Sequence, residues 1–226
     1  MTNMNEKIWN IQECTDKGVH EAVLGDFYEY KAKSDSKILV LGSGFGALEE
    51  KLVSAGYRNI VSVDIDDKHQ IEDADFIQFD LNNDFYDLFK KKFDYVFIVE
   101  VIEHIENSFH FFKNVKEIIN KTSIVYVTTP NVHRKSLRLR YFLTGEFDYF
   151  REKDIHESGH ILPIFDHIFQ HVLSVSGLVM LSLSYNRNFV ANSLIGKVKE
   201  LIYKVFTYYI HGNEGIISIY KIKLRQ

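Results

Sequence analysis

Apolar and polar positions along the chain alternate between short, unbroken apolar runs and stretches with helical spacing. Ile38-Leu39-Val40-Leu41, bounded by Lys37 and Gly42, suits a strand covered on both faces. Residues 60–64, 76–80, 93–100 and 123–129 read as four more strands, the first three of them ending in an acid. Between them, residues 47–55 form a helix that Gly56 closes, and a second helix runs from Val101 or Ser108 to Asn120. Ile8, Ile11, Val19, Ala22, Val23 and Phe27 give residues 5–33 an imperfect 3.6-residue pattern, which predicts an N-terminal helix. Strands alternating with helices indicate an α/β doubly wound sheet.

From Asn131 to Pro163 the alternation breaks. The stretch is long, basic and aromatic, and it carries His133, His156 and His160. A connection of that length is usually functional, often a cover over a site. Residues 164–176 return to helix, 179–185 to strand, and 216–224 form a last strand. Leu194, Ile195, Val198, Leu201, Ile202, Val205 and Phe206 mark one helical stripe beside Lys197, Lys199 and Lys204. That stripe suits a helix covering the sheet or a dimer face better than one lying on a membrane.

The first strand runs into Gly42-Ser43-Gly44-Phe45-Gly46 and then a helix. Alternate glycines open the backbone to a ligand, and the helix start favours an anionic or hydroxyl-rich group. Ligands in such sheets sit beyond the carboxyl ends of the strands, where this chain places the loop, Asp64, Asp80, Glu100 and Thr129-Pro130. Asp64 follows the loop at the distance from which an acid accepts from ribose hydroxyls, although an Asp after a strand also caps turns. Gly42, Gly44 and Ala47 partly match a dinucleotide fingerprint. Gly46 changes its spacing, Asp80 adds an acid suited to an adenine amino group, and no second mononucleotide half follows the fifth strand. The pattern points to a nucleoside.

Composition narrows the setting. The 226 residues, 46% apolar and 26% charged, suffice for one domain with a full core. A net charge of −4 argues against nucleic acid as a partner. The one cysteine, Cys14, excludes an internal disulfide, fits a reducing compartment and reads as a spectator thiol. With no apolar leader in residues 1–10 and no run near the roughly 20 residues of a membrane span, a cytoplasmic location is expected.

The loop "LVLGSGFG", the acid in "VSVDID", the strand "FIQFDL" and above all "FDYVFIVEVIEHI" resemble class I S-adenosylmethionine-dependent methyltransferases. The run E-V-[IL]-E-H, "TTPNVH" and "GHILPIFDHIFQHVLSVSGL" are similar to the small-molecule O-methyltransferases of the ubiquinone-biosynthesis type and of polysaccharide clusters. The likeness covers about residues 36–185. It implies a Rossmann-like fold: a seven-stranded, mostly parallel sheet with an antiparallel last strand, helices on both faces and a lid after strand five. One domain, 1–226, would then comprise a helical cap (1–35), a cofactor core (36–130), a substrate lid (131–163) and the rest of the sheet (164–226).

The same resemblance implies that Gly42, Ser43, Gly44 and Gly46 cradle the methionine part of S-adenosylmethionine. Asp64 and Ile65 would take the ribose, Asp80 and Leu81 the adenine, and Glu100 the floor near the sulfonium. Val40 stands where the family usually has an acid, two residues before the first glycine.

Methyl transfer to a hydroxyl needs alignment, exclusion of water and a base or metal for the proton. Glu100, Glu103 and His104 share the i, i+3, i+4 spacing of one helical face. With His160 from the lid they could hold Mg²⁺ or Mn²⁺. Alternatively His104 is a metal-free base beside Glu103, or the acids merely complement a helix start. His133, Arg134, Lys135, Arg138 and Arg140 could grip a phosphate- or nucleotide-linked acceptor, or form a solvated helix face. Methyl transfer to a sugar or carbohydrate-linked hydroxyl is the expectation, without nucleic acid as a partner and compatible with a homo-oligomer. RNA 2′-O-methylation, a non-catalytic cofactor-binding subunit and a nicotinamide dehydrogenase are the alternatives.

Overall fold

The computed structural model describes residues 11–186 and 215–225. Along β1 (Ile38–Leu41) every side chain is buried, yet neighbours go to opposite faces of the sheet. Leu39 and Leu41 join one apolar cluster, Ile38 and Val40 the other. β4 (Phe93–Val99) divides in the same way, with Val96 and Ile98 on the first face and Phe97 and Val99 on the second. Such strands need cover on both sides. α3 (Ser108–Glu117) and α6 (Asp166–Val175) supply it through Phe111, Phe112, Val115, Phe169, Val172 and Leu173. On the other face α1 (Val19–Glu29) and α2 (Ala47–Ser54) bring Val19, Val23, Phe27, Leu48 and Leu52.

The remaining strands are β2 (Ile60–Asp64), β3 (Asp75–Gln78), β5 (Ile119–Pro130), β6 (Leu178–Tyr185) and β7 (Ile217–Leu224). Their order is β3-β2-β1-β4-β5-β7-β6. β1 to β5 pair in parallel, and β7 is antiparallel to both β5 and β6. The expected α/β architecture, a seven-stranded and mostly parallel sheet, is therefore the observed one. All five parallel strands end at one edge, which brings Gly42, Asp64, Glu100 and Asn131 together despite their separation in sequence.

Several boundaries differ from the sequence reading. The N-terminal helix begins only at Val19, because Gly18 takes a left-handed conformation at φ 83°. β3 stops at Gln78, two residues short of Asp80. Residues 101–107 are not α-helical: Glu100 has φ +54° and only a 3-10 turn, Ile102–His104, follows. The proposed single helical face for Glu100, Glu103 and His104 therefore does not exist. After β5 the chain forms two short helices, α4 (Lys135–Thr144) and α5 (Glu152–Ser158). The stripe from Leu194 to Phe206 lies outside the described residues. Among the described residues no helix is long and apolar enough to cross a membrane.

Candidate active site

A cavity of about 610 Å³ opens at the carboxyl edge of the parallel strands. Its size falls within the range of small-molecule sites. Gly42, Ser43, Gly44, Asp64, Ile65, Asp80, Leu81, Glu100, His104 and His160 line it, with Cys14 and His20 from the N-terminal side. Of the residues expected at a cofactor, only Gly46 is not in the wall. At φ +93° it caps α2, and a Cβ there would stand 2.8 Å from Ile71 Cγ1. Its role is to let the helix start, not to line the cavity.

The glycine loop is pinned to β2. The N–H groups of Gly42 and Ser43 both donate to the Val63 carbonyl, at 2.8 and 3.1 Å. Asp64 Oδ2 accepts the Gly44 N–H at 2.8 Å, and Oδ1 accepts that of Asp66 at 3.0 Å. Asp80 Oδ1 accepts from both nitrogens of Asn82, at 2.9 and 3.1 Å. Both acids thus hold turns while lining the cavity. A carboxylate has about four acceptor positions, so each retains capacity for a ligand. Ser43 Oγ, shielded in the same wall, has no hydrogen-bond partner.

Glu100 ends β4 in a left-handed conformation that non-glycine residues seldom adopt, a strain found mainly at functional sites. Burial pushes its carboxyl up to about 7, against the Thr128 hydroxyl, which stabilises the charged form. Glu103 is fully buried, and neither of its carboxyl oxygens makes a well-formed hydrogen bond. Burial first, then the charge of Glu100, raise it well above the ordinary carboxylate range.

His104 is fixed by the lid. Its Nδ1 lies 3.0 Å from the Gly159 carbonyl, and His160 Nδ1 lies 2.9 Å from the Tyr149 carbonyl. A carbonyl only accepts, so both Nδ1 atoms carry the hydrogen, which puts the lone pair of each ring, when neutral, on Nε2. The rings meet edge to face at 4.9 Å. Burial, then the charge on His160, lower the His104 pKa, which keeps the ring neutral. Ile161 and Leu162 donate to the Glu103 carbonyl at 2.9 and 3.0 Å, completing the stitch between lid and turn.

Donor atoms of Glu103, His104 and His160 lie within 4.8 Å of one another. Glu100, the fourth expected ligand, is turned instead to Thr128. One carboxylate and two imidazoles, each imidazole oriented by a backbone carbonyl, form a donor set able to take a divalent ion. Two nitrogens suit Mn²⁺ better than Mg²⁺, which prefers oxygen throughout.

The basic cluster of the lid is mostly spoken for. Arg140 pairs with Glu146 and Asp148, and Arg138 Nη2 lies 3.1 Å from His133 Nδ1. His133 Nε2 accepts the Asp166 N–H at 3.1 Å, and Tyr220 donates to Asp166 at 2.7 Å. These residues tie the start of the lid to α6 and β7. Arg134 differs, since its Nε is shielded from solvent and has no hydrogen-bond partner.

Sequence reasoning missed the Thr128 hydroxyl, which meets Glu100 only through the pairing of β5 with β4, and the carbonyls of Tyr149 and Gly159, because a backbone acceptor leaves no trace in residue type. It also missed Cys14 and His20. The thiol read as a spectator stands in the cavity wall, 3.4 Å from where a Cβ on Gly44 would lie.

Residues 18–183 match the family described as a methyltransferase domain. No curated protein matches the chain. Among solved structures, a SAM-dependent methyltransferase from Archaeoglobus fulgidus is similar with TM-score 0.58 and 16% identity, over 91% of this chain and 95% of that one. Magnesium protoporphyrin IX methyltransferase from Synechocystis PCC 6803, with bound SAH, gives 0.61 and 13% over 92% and 82%. Phosphoethanolamine N-methyltransferase 2 from Haemonchus contortus, in complex with S-adenosyl-L-methionine, gives 0.58 and 14% over 92% and 52%. At these identities the likeness is one of fold. The family match spans most of the chain and agrees with the strand order and the glycine loop beneath it: this is a class I S-adenosylmethionine-dependent methyltransferase.

Proposed function

We propose that the chain methylates a hydroxyl of a small molecule, a sugar or carbohydrate-linked metabolite, with His104 as the base. The observation that carries the reading is the neutral His104 ring in the cavity wall, its Nδ1–H held by Gly159 and its lone pair on Nε2. A hydroxyl nucleophile must lose its proton as it attacks, and an imidazole in that state can take it.

In this reading Gly42, Ser43 and Gly44 hold the methionine end of S-adenosylmethionine, Asp64 and Ile65 the ribose, and Asp80 and Leu81 the adenine. The bound cofactor supplies a methyl group on a sulfonium, already a good leaving group. The chain's work is to align the acceptor, exclude water and remove one proton. Glu100 forms the floor, and the buried Glu103 lies beside His104. With a metal present, Glu103, His104 and His160 would be its ligands, and Mn²⁺ would supply Lewis acidity toward the acceptor oxygen.

RNA methylation fits less well. Arg140 and Arg151 are paired with lid acids rather than free for a phosphate backbone.

The deciding experiment is methyl transfer from labelled S-adenosylmethionine to a panel of nucleotide sugars, free sugars and RNA. Labelled sugar with His104→Ala reduced at least about 100-fold in kcat is expected. Transfer to RNA alone, or undiminished turnover by His104→Ala, overturns the proposal.

A further inference from the structure

Before α1 the chain passes over the glycine loop. Cys14 and His20 line the same cavity as Gly42, Asp64 and Asp80, and Cys14 Sγ lies over Gly44. A charge cluster holds the segment there. The Lys51 ammonium, on α2, has a side chain only 4% exposed and bonds both Glu13 and Glu21. Glu13 Oε1 is also 3.5 Å from His20 Nδ1. A lysine so far from water is tolerated only while its carboxylates stay in place, so the contact is held or lost as a unit. At the other end of the segment, the charge of Asp16 acts on both Glu100 and Tyr149.

We propose that residues 11–18 form a fourth wall of the cofactor site, positioned over Gly44 by Lys51 and Glu13, with Cys14 facing the bound cofactor. The inference rests on the cofactor placement given above. The placing of this wall over the glycine loop then sets how readily S-adenosylmethionine enters and its product leaves. Glu13 and Lys51 are thus positioning residues that govern cofactor affinity and exchange more than the transfer step. The wall also carries its own reporter, because Cys14 is the single cysteine of the chain.

The test is the rate of maleimide labelling of the full chain, with S-adenosylhomocysteine binding followed in parallel by calorimetry. Saturating S-adenosylhomocysteine should slow labelling at least about tenfold, as expected for a group covered in the bound state. Without cofactor, Glu13→Gln, its fold checked by circular dichroism, should label about fivefold faster, the size of change a weakened ion pair gives. Its KM for S-adenosylmethionine should rise more than its kcat falls. Bound S-adenosylhomocysteine that leaves the labelling rate within about twofold overturns the wall, since a covered thiol must be protected. A Glu13→Gln chain that labels like the parent overturns it equally. If S-adenosylhomocysteine does not bind at all, the cofactor reading fails, and the Glu13→Gln labelling rate still decides for or against the wall.

Discussion

The Thr128 hydroxyl accepts the Glu100 N–H at 3.0 Å and donates to Glu100 Oε1 at 2.7 Å. One side chain of β5 thus holds both the strained backbone and the carboxylate of the residue that ends β4. Thr128→Val keeps the shape and removes both bonds. Glu100 should then titrate above its present value of about 7, because the bond favouring its charged form is gone. Stability should fall by about 1–3 kcal/mol, the cost of stranding buried polar groups. Denaturant unfolding and a Glu100 titration by NMR check both, and a variant unchanged in each would show that Thr128 does not position Glu100.

Asp64 holds a turn and, in the proposed reading, the ribose as well, and substitution can separate the two. Asp64→Asn keeps an oxygen for the Gly44 N–H, whereas Asp64→Ala strands the N–H groups of both Gly44 and Asp66. S-adenosylhomocysteine should bind Asp64→Asn about tenfold more weakly and Asp64→Ala about 100-fold more weakly, from the cost of hydrogen bonds to a charged group. Calorimetry decides. Parent-like affinity for Asp64→Ala would leave the residue a turn-former only.

Glu103, His104 and His160 bring donor atoms within 4.8 Å of one another. An ion held there would occupy the His104 Nε2 that otherwise serves as the base; in that case chelator reduces turnover, and Mn²⁺ restores it better than Mg²⁺, since two of the three donors are imidazoles. His160→Ala should lose the response to Mn²⁺ while still binding S-adenosylhomocysteine. Activity indifferent to chelator and to added Mn²⁺ would remove the metal and leave His104 as a metal-free base.

Glu13 links the N-terminal segment to acid stability. The His20 ring, 3.5 Å away, first, and the Lys51 ammonium with it, hold its carboxyl down at about 2 despite burial, against an ordinary 4.5. Between those values the unfolded chain binds the more protons, so the unfolding free energy rises with pH. The contribution is complete above 4.5 and is lost as pH falls toward 2. Urea midpoints across that window should show a shallower acid loss for Glu13→Gln than for the parent. Identical slopes would mean that Glu13 is not held by this cluster in solution.

Much of the fold was legible because burial on both faces of a parallel sheet demands unbroken apolar runs. Ile38–Leu41 and Phe93–Val99 announce themselves in that way, and the acids that follow β2 and β4 mark the ligand edge. Boundaries were less legible. The helical reading of residues 11–18 and 101–107 fails because Gly18 and Glu100 adopt left-handed conformations that stop a helix. For Glu100 no residue-type signal warns of this, since the strain is sustained by Thr128 from a neighbouring strand.

By itself the sequence determined the class of sheet, the glycine loop and the types of residue gathered at the strand ends. Those features depend on local conformation and on periodic burial, which a chain displays along its own length. Only the tertiary structure decided that Glu103 is sealed from water, that Gly159 and Tyr149 set the tautomers of His104 and His160, and that Cys14 lies over Gly44. Each of these joins groups far apart in sequence through a carbonyl, a charge or a shared wall. Such contacts form only when the sheet brings its strand ends to one edge and the segments beyond them close over it.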